Sequence, residues 1–315
     1  MNKYINPTRL EIVVTNACSG RCRHCSWDNL TDDCGGIHAD AAVTAVKRLA
    51  ERYKIESVMT FGGEPLLFAD TVCKIHAAAR DCGIAERSII TNGYFTDDDD
   101  KINLTAKQIC ASGVNDILLS VDAFHQEFIP ITAVERFAAA LLSHGMQNLK
   151  IHPAWVINEE NDNPYNEETR RLLKTFSDKE IPVTSGNDIF LSGSAAVHLS
   201  EFYPARQAID LSDLSDFCGS EPYTERPDNV SCISISPNGG VNICSQIGNI
   251  YENDILDIIG SYDPYSIPPL RAVLDGGVRG LLDYADSLNV KADLNGCRSA
   301  CQVCRKVRAE IDKVV

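Results

Sequence analysis

The chain has 315 residues, of which 44% are apolar, and its 44 acidic residues outnumber the 29 basic ones to give a net charge of −15. This length suits one large α/β domain, or such a domain with a small addition. The negative charge argues against a nucleic-acid partner, because phosphates attract Lys and Arg. No apolar run approaches the roughly 18 residues that span a membrane, and the N-terminus lacks a secretory signal, so we expect a cytoplasmic protein without a membrane partner.

Short apolar runs rich in β-branched residues alternate with helical patterns over residues 1–191. Strands are predicted at RLEIVV, IESVMTF, RSIIT, DILLSV, LKIHPAWVI and IPVTSGNDIFL. Helices are predicted at HADAAVTAVKRLAERY, ADTVCKIHAAARDCG, TAKQICASG, AVERFAAALLSHG and NEETRRLLKTFSD, and the acidic run Asp97–Lys101 as a solvated loop. About six βα units imply parallel strands with right-handed crossovers, too few for a closed eight-stranded barrel. The predicted fold class is therefore α/β, an open partial (βα)6 TIM-like barrel.

The pattern changes over residues 192–315, which we predict to form a small cysteine-rich module. VSCISIS and VNICS flank a Pro-Asn-Gly-Gly turn, which is typical of a β-hairpin. A helical tract, IPPLRAVLDGGVRGLLDYADSL, follows before the segment NGCRSACQVCRK. The return of cysteines in this half indicates a module held together by metal.

Thirteen cysteines are the strongest signal in the sequence. In a reducing compartment such a number favours metal ligands or catalytic thiols over disulfides. The pattern C-x3-C-x2-C occurs twice, in Cys18, Cys22, Cys25 and in Cys297, Cys301, Cys304. A structural zinc site normally has four ligands, so each trio lacks one. The cysteines predicted to serve only in helix packing or in a loop are Cys73, Cys82, Cys110 and Cys34.

Polar or glycine-rich motifs follow each of the first four predicted strands. The cysteine loop follows the first strand, and TFGGEPLL, with Gly62, Gly63, Glu64 and Pro65, ends the second. The third ends in TNG, with Asn92, and the fourth in SVD, with Ser120 and Asp122. Ligands of parallel α/β folds bind at the carboxyl ends of the strands, so these groups should converge on one mouth.

These motifs resemble those of the radical S-adenosylmethionine (radical SAM) superfamily. CSGRCRHC looks like its three-cysteine motif, GGEP like the motif that binds the amino group of SAM, and the Ser120–Asp122 pair like its ribose-binding strand. The resemblance implies a partial barrel of six βα units, and it implies that Gly62, Gly63, Glu64, Pro65, Asn92, Ser120 and Asp122 bind SAM.

The resemblance also explains why three cysteines stand together. Three thiolates, from Cys18, Cys22 and Cys25, hold three irons of a [4Fe–4S] cluster, and the fourth iron stays open for SAM. One electron, from a flavodoxin- or ferredoxin-type donor, then cleaves SAM to methionine and a 5′-deoxyadenosyl radical, which removes a hydrogen atom from a substrate. His24 is expected to shape the loop rather than bind metal. The alternative is a zinc ribbon spread over distant cysteines, with GGEP as a plain turn.

The second module resembles the SPASM or twitch extensions of this superfamily, which carry auxiliary iron–sulfur clusters. Gly239 and Cys244 have the family's G-x4-C spacing, although the gap after Cys218 is longer than usual. The resemblance favours one auxiliary cluster on Cys218, Cys244, Cys301 and Cys304. Cys297 and Cys232 are alternative ligands, and structural zinc is the alternative metal.

Such extensions imply a peptide or small-molecule substrate. The short length and the GGE motif most resemble peptide-modifying members of ribosomal peptide maturation, which epimerise or oxidatively crosslink their substrates. The epimerases place a hydrogen-donor cysteine where this chain has Ser245, so Cys232 is the candidate donor. Dehydrogenation of a small alcohol or sugar is the alternative reaction, and an iron–sulfur electron-transfer protein is the alternative outside enzymes.

The predicted core begins close to residue 1, so we expect no leader-binding domain and expect a peptide substrate to be held by the barrel mouth and the C-terminal module. Four tyrosines of the second half could line such a groove, although packing is the simpler role for each. They are Tyr203, Tyr223, Tyr262 and Tyr265.

Overall fold

The computed structural model describes residues 2–27, 35–177, 179–203, 218–219, 224–295, 297 and 299–314. The strands are β1 Ile5–Val13, β2 Ser57–Phe61, β3 Glu86–Thr91, β4 Asp116–Ser120, β5 Leu149–His152, β6 Ala154–Val156, β7 Asn187–Ile189, β8 Val230–Ile235, β9 Gly240–Asn242 and β10 Gln246–Asn249. The helices are α1 Ala39–Arg52, α2 Ala69–Asp81, α3 Asp99–Ser112, α4 Ile131–Ser143, α5 Pro164–Ser177, α6 Gly193–His198, α7 Ile255–Ser261, α8 Pro268–Ser287 and α9 Ala300–Ile311. Cys34 and Tyr223 lie outside the described residues.

The strands β1 to β5 form a continuous parallel sheet in chain order, with a helix after each of the first four strands. This arrangement confirms the predicted α/β class. The strands β6 and β7 pair in parallel with each other as a separate ribbon. Since β6 follows β5 after a single residue, Pro153, the two are one interrupted strand, and β7 is the sixth strand of the (βα)6 pattern.

Two residues explain why the last two predicted strands are broken. Pro153 has no backbone N–H to donate, so it interrupts the strand hydrogen bonds at the point where β5 ends and β6 begins. Gly186 has φ +73°, and a Cβ there would come within 2.2 Å of the Pro153 carbonyl oxygen. Only glycine permits this backbone approach. The sixth strand begins after it and is limited to Asn187–Ile189. Upstream of Gly186, a single isolated bridge joins Ile151 and Val183.

The helices α1 to α4 cover one face of the sheet and bury its apolar residues. Alternation along β1 directs Leu10 and Ile12 into this core and Arg9 and Glu11 to the other face, where Arg9 Nε lies 2.8 Å from Glu11 Oε1. Phe137 of α4 is fully buried, and burial of such a side chain contributes roughly 1.5–3 kcal/mol. The sheet thus has an apolar, helix-covered face and a partly polar inner face.

Two predictions for this half are wrong. The acidic run is the start of a helix rather than a loop: Asp98 caps α3 by accepting hydrogen bonds from the Asp100 and Lys101 backbone amides. Carboxylates at this end are favoured by the helix dipole. Cys82 is exposed rather than packed in the core, because α2 ends at Asp81. Cys73 and Cys110 are half-buried against the core as predicted.

The predicted hairpin is present as β8 and β9, and it extends the barrel sheet. β8 pairs in parallel with β1, which gives the order β10-β9-β8-β1-β2-β3-β4-β5. The predicted long helix is α8, with non-helical backbone at Gly276 and Gly277. The short helices α6 and α7, strand β10 and the cysteine-bearing helix α9 were not predicted. Within the described residues, no helix combines the length and apolarity required to cross a bilayer.

Candidate active site

The first cysteine trio lies in the loop after β1. The Cys25 backbone amide donates to the Cys22 carbonyl at 3.1 Å, and the Gly20 amide donates to Cys18 Sγ at 3.3 Å. A Cβ added to Gly20 would be 3.3 Å from Cys22 Sγ and 3.8 Å from Cys18 Sγ, so the loop curls tightly around these two thiols. Burial raises the pKa of the Cys18 thiol to about 11 and raises that of Cys22 further, with neighbouring acids and thiols adding to both shifts.

The GGEP turn is bound directly to this loop. The Gly63 amide donates to the Thr15 carbonyl and the Glu64 amide donates to the Ala17 carbonyl, both at 2.8 Å. A Cβ on Gly63 would lie 2.0 Å from the Ala17 carbonyl oxygen, and Gly62 has φ +143°. Both glycines are therefore required for contact between the second strand end and the cysteine loop.

Glu64 is fully buried and joins the second strand end to the third. Its Oε1 accepts from the Leu66 amide at 2.9 Å and from Thr91 Oγ1 at 2.7 Å, and its Oε2 accepts from the Asn92 amide at 2.9 Å. Desolvation raises the pKa of the carboxyl to about 7, and these three donors partly oppose that shift. The side chain predicted to meet the amino group of SAM thus acts as an internal brace in this arrangement.

Asn92, at the end of the third strand, turns its side chain to the cysteine loop. Its Nδ2 donates to Ser19 Oγ at 3.1 Å and lies 3.7 Å from Cys18 Sγ, while its Oδ1 accepts from the Tyr94 amide. The amide therefore fixes the first cysteine against the sheet.

Asp122, beyond the fourth strand, is fully buried and all its contacts are internal. Oδ1 accepts from the amides of Phe124 and His125, and Oδ2 contacts His125 Nδ1 at 2.8 Å and the Ala154 amide at 3.2 Å. Burial alone would raise the pKa of this carboxyl, but His125 and His24 outweigh burial and hold it well below its usual range. The ribose role of Asp122 stays a prediction, and a structural role is evident.

Two histidines pack beside Cys22. The His24 ring lies 4.9 Å from the Phe124 ring and 4.7 Å from the His125 ring, and burial lowers its pKa to about 4. Ligand atoms of Cys22, His24 and His125 lie within 4.8 Å of one another, so this trio is a second way to hold a metal here. The tilted and edge-on ring contacts of His24 support the predicted loop-shaping role.

One cavity collects the strand-end motifs. Its lining includes the three thiols together with Gly62, Gly63, Asn92, Ser120 and Asp122. Glu64 and Pro65 are not among its lining residues. The convergence predicted from parallel strand ends is therefore present for most of the motif residues.

The opposite wall comes from residues that the sequence analysis missed. It consists of His152, Asn187, Asp188 and Phe190, at the ends of the fifth and sixth strands. His152 Nδ1 lies 2.8 Å from Thr184 Oγ1. The same strand-end rule could have found these residues, but Pro153 and Gly186 obscured where the two strands end.

Comparison with known proteins agrees with this geometry. Residues 12–192, more than half of the chain, match the family model described as the Radical SAM superfamily. The chain is a member of the radical SAM superfamily. The expected membership is thus confirmed, and the family implies a [4Fe–4S] cluster and SAM as cofactors.

Individual relatives are distant. A probable GTP 3′,8-cyclase of Saccharolobus islandicus is 30% identical over 129 residues, 41% of this chain and 39% of that protein. The chain therefore spans about two fifths of the length of this relative. Streptococcus suis SuiB bound to its precursor peptide SuiA has a TM-score of 0.51 at 16% identity, over 94% of this chain and 76% of SuiB. Native anSMEcpe with bound AdoMet and the Kp18Cys peptide also has a TM-score of 0.51, at 14% identity over 82% of this chain and 81% of that one. At these identities the two structures show a shared fold only.

The residues of the first site fit the cluster that the radical SAM family implies. Three thiols face one cavity around Gly20, and thiolate is the ligand of iron–sulfur clusters. The raised thiol pKa values describe the metal-free arrangement, and bound iron would favour the thiolates instead.

Four cysteines of the C-terminal region line a second cavity. They are Cys218, Cys244, Cys301 and Cys304, the quartet favoured from the sequence. Burial raises the pKa of Cys218 to about 12, and the other three thiols of the quartet raise it as well. Four thiols around one cavity of about 320 Å³ are a donor set that fits a fully ligated auxiliary cluster.

The two alternative ligands do not line the second cavity. Cys297 is not among the residues lining the second cavity, and its charged neighbours are Lys306, Asp293 and Arg305. Cys232, on β8, lines a small third cavity with Glu11, Glu225 and Cys244. It pairs with Arg9, four residues before the end of β1, which places it about 13 Å below that strand end.

The tyrosines have mostly structural contacts. Tyr203 donates to the Ile189 carbonyl and Tyr262 is buried with its hydroxyl on the Pro227 carbonyl. Tyr265 is more exposed, and its ring lies 5.8 Å from that of Tyr4. Packing therefore explains these three side chains.

Proposed function

We propose that this radical SAM protein cleaves SAM reductively and uses the resulting radical to oxidise a peptide. The observation that carries the proposal is the single cavity in which three thiols meet the ends of β2, β3 and β4. When bound, the cluster and SAM supply a 5′-deoxyadenosyl radical that takes a hydrogen atom from the substrate.

The residues of this chain hold and shape that site. Cys18, Cys22 and Cys25 would bind three irons, and the Gly62–Gly63 backbone fixes their loop through its contacts with Thr15 and Ala17. Ser120 offers a hydroxyl to the cavity, and the partly buried His24, which packs on the fully buried Phe124, lines its side. These contacts keep water from part of the site and leave the opposite wall for a substrate.

The substrate position follows from Phe190. This side chain lines both the first and the second cysteine cavity, and it is 42% exposed. The segment after β7 also contacts both regions: the Ala195 amide donates to the Cys25 carbonyl, and Gln302 of α9 donates to the Leu191 carbonyl. A substrate resting on Phe190 would therefore lie between the two cysteine sites.

Oxidation is favoured over epimerisation by the position of Cys232. An epimerase returns a hydrogen atom from a thiol at the radical site, yet Cys232 lines the third cavity and not the first. A cysteine quartet that holds an electron-accepting cluster serves oxidation instead. Cys218, Cys244, Cys301 and Cys304 would hold that cluster, which would supply an acceptor for the electron left when the oxidised product forms. The accompanying proton would go to water, and a flavodoxin- or ferredoxin-type carrier would take up the electron.

A peptide substrate is supported by the fold shared with two peptide-bound structures. A small-molecule reaction is the second candidate, because the 129-residue match is to a probable GTP 3′,8-cyclase. Incubation with GTP and with candidate peptides encoded beside the gene separates the two, since only the true substrate should be consumed and give a product with a new chromatographic retention time.

The test is anaerobic reconstitution with iron and sulfide, followed by dithionite, SAM and substrate. We expect 5′-deoxyadenosine, none from the Cys18→Ala/Cys22→Ala/Cys25→Ala variant, and a peptide lighter by about two mass units from the loss of two hydrogens. A gain of one unit in deuterated water would instead indicate epimerisation. The absence of 5′-deoxyadenosine from reconstituted wild type would refute the proposal.

A further inference from the structure

Arg308 of α9 points into the second cysteine cavity. Its Nη1 lies 3.5 Å from Cys244 Sγ, and it lines the cavity with Cys301 and Cys304. Positions 301, 304 and 308 are spaced by three and four residues, which places all three side chains on one face of the helix. The helix thus presents two thiols and two guanidiniums to the same space, because Arg305 lines the cavity as well.

The partners of Arg308 are unusual for this protein. Acidic residues outnumber basic ones in this chain, so carboxylate partners for arginine are plentiful. Arg279, for example, pairs with Asp283. Within the described part of the chain, no ion pair joins Arg308 to an Asp or Glu. Its Nη1 contacts the thiol of Cys244 instead, and it shares the cavity with the thiol of Cys304.

A permanent cation has a definite effect at such a site. A four-iron cluster with four thiolates is formally dianionic, and its reduction adds one more negative charge. Both a nearby positive charge and hydrogen bonds to ligand sulfur favour the reduced state and raise the reduction potential. Arginine keeps its charge at any working pH and donates through several N–H groups.

We propose that Arg308 is a positioning residue that raises the reduction potential of a cluster held by Cys218, Cys244, Cys301 and Cys304. The inference rests on the proposed function, since it requires that cluster. A higher potential makes the cluster a better acceptor for the electron that the substrate radical gives up, and the carrier that removes this electron is of the flavodoxin or ferredoxin class. Arg308 touches neither substrate nor SAM in this role.

The experiment measures the potential of that cluster alone. The full chain carrying Cys18→Ala/Cys22→Ala/Cys25→Ala is reconstituted without oxygen, and its cluster is titrated by EPR-monitored potentiometry. Arg308→Met should shift the midpoint to more negative potential, and Arg308→Lys should restore part of the shift because it keeps the charge. Arg279→Met removes the same charge from an exposed ion pair on α8 and should leave the midpoint unchanged.

Each outcome of this titration either supports or overturns the role of Arg308. An unchanged midpoint in Arg308→Met, with iron content equal to that of the parent, overturns the inference and leaves the proposed function intact. If Arg308→Met loses its iron, Arg308→Lys and Arg308→Gln are compared with the parent instead. A midpoint potential that falls in Arg308→Gln, and falls less in Arg308→Lys, supports the inference. Midpoint potentials equal to that of the parent in both variants overturn it. A parent that binds no iron at the quartet refutes both the auxiliary cluster and the role of Arg308.

Discussion

The two cysteine sites of this chain differ in ligand number and in what surrounds them. The first has three thiols in a cavity whose other walls are strand-end amides, hydroxyls and glycine backbone. The second has four thiols, two arginines and an apolar wall that includes Leu270, Val273 and Val278. The difference teaches that three thiols beside polar strand ends leave room for a polar ligand, whereas four thiols could satisfy every iron of the cluster proposed for the second site.

The largest expected effect is at Gly63, where the first site depends on close backbone packing. In Gly63→Ala the new methyl group would collide with the Ala17 carbonyl and displace the cysteine loop. We expect 5′-deoxyadenosine formation to fall by about 100-fold or more, because ångström-scale displacements cost that much.

The matched control is Gly260→Ala on α7, where an added Cβ meets nothing within 4 Å. This control should keep its activity. Full activity in Gly63→Ala would show that the contact between the GGEP turn and the cysteine loop is unimportant.

The ligand set of the second site is tested by two single substitutions. Cys301→Ala should remove the auxiliary cluster and stop product formation, while SAM cleavage at the first site continues. Cys297→Ala should keep the cluster, because Cys297 does not line the second cavity. Iron analysis and chromatography of 5′-deoxyadenosine check both variants, and the reverse pattern would place Cys297 among the ligands.

A smaller effect is expected from Asp122→Asn, which separates a structural role from ribose binding. Loss of the carboxylate leaves His125 without its charged partner and weakens a fully buried set of hydrogen bonds. We expect the free energy of unfolding to fall by about 3 kcal/mol, as for other buried pairs that lose one member. Unchanged stability together with weaker SAM binding, by denaturation and equilibrium dialysis, would support the ribose role instead.

The smallest effect concerns His76, a buried group of the barrel half. Burial lowers its pKa to about 3, and its Nε2 lies 2.9 Å from Thr60 Oγ1. His76 binds a proton near pH 6.5 in the unfolded chain but not in the folded chain. Its neutral form therefore contributes fully to the free energy of unfolding above that pH, and this contribution is lost as the pH falls. Between pH 7.5 and 5.5 this amounts to about 1.4 kcal/mol.

Anaerobic denaturant titrations of wild type and His76→Gln at both pH values measure this loss. The decrease in the free energy of unfolding from pH 7.5 to pH 5.5 should be about 1.4 kcal/mol smaller in His76→Gln than in wild type. An identical pH dependence in both proteins would mean that His76 binds its proton equally well in the folded and the unfolded chain, which would contradict the lowered pKa.

Much of the barrel could be predicted from sequence because its signals are local. Apolar runs ending in glycine or polar motifs located β1 to β4, and the strand-end rule placed Gly62, Asn92 and Ser120 at one cavity. The far wall was missed because Pro153 and Gly186 break the last two strands through backbone contacts between distant segments. The internal bracing by Glu64 and Asp122 also depends on such contacts, so residue type alone suggested ligand binding.

The C-terminal region was harder because its order depends on long-range pairing. Residue spacing suggested the cysteine quartet, and the family resemblance selected among six cysteines. The parallel pairing of β8 with β1, and the approach of Arg308 to Cys244, join residues far apart in sequence. No periodic pattern reports contacts of this kind.

The central claim is that the first trio holds a cluster with one iron open to SAM. The direct test is EPR of the reduced Cys218→Ala/Cys244→Ala/Cys301→Ala/Cys304→Ala variant, with metal analysis, before and after addition of SAM. We predict about four irons per chain and a spectrum that changes when SAM is added. Zinc bound through Cys22, His24 and His125, or an iron spectrum that SAM leaves unchanged, would contradict it.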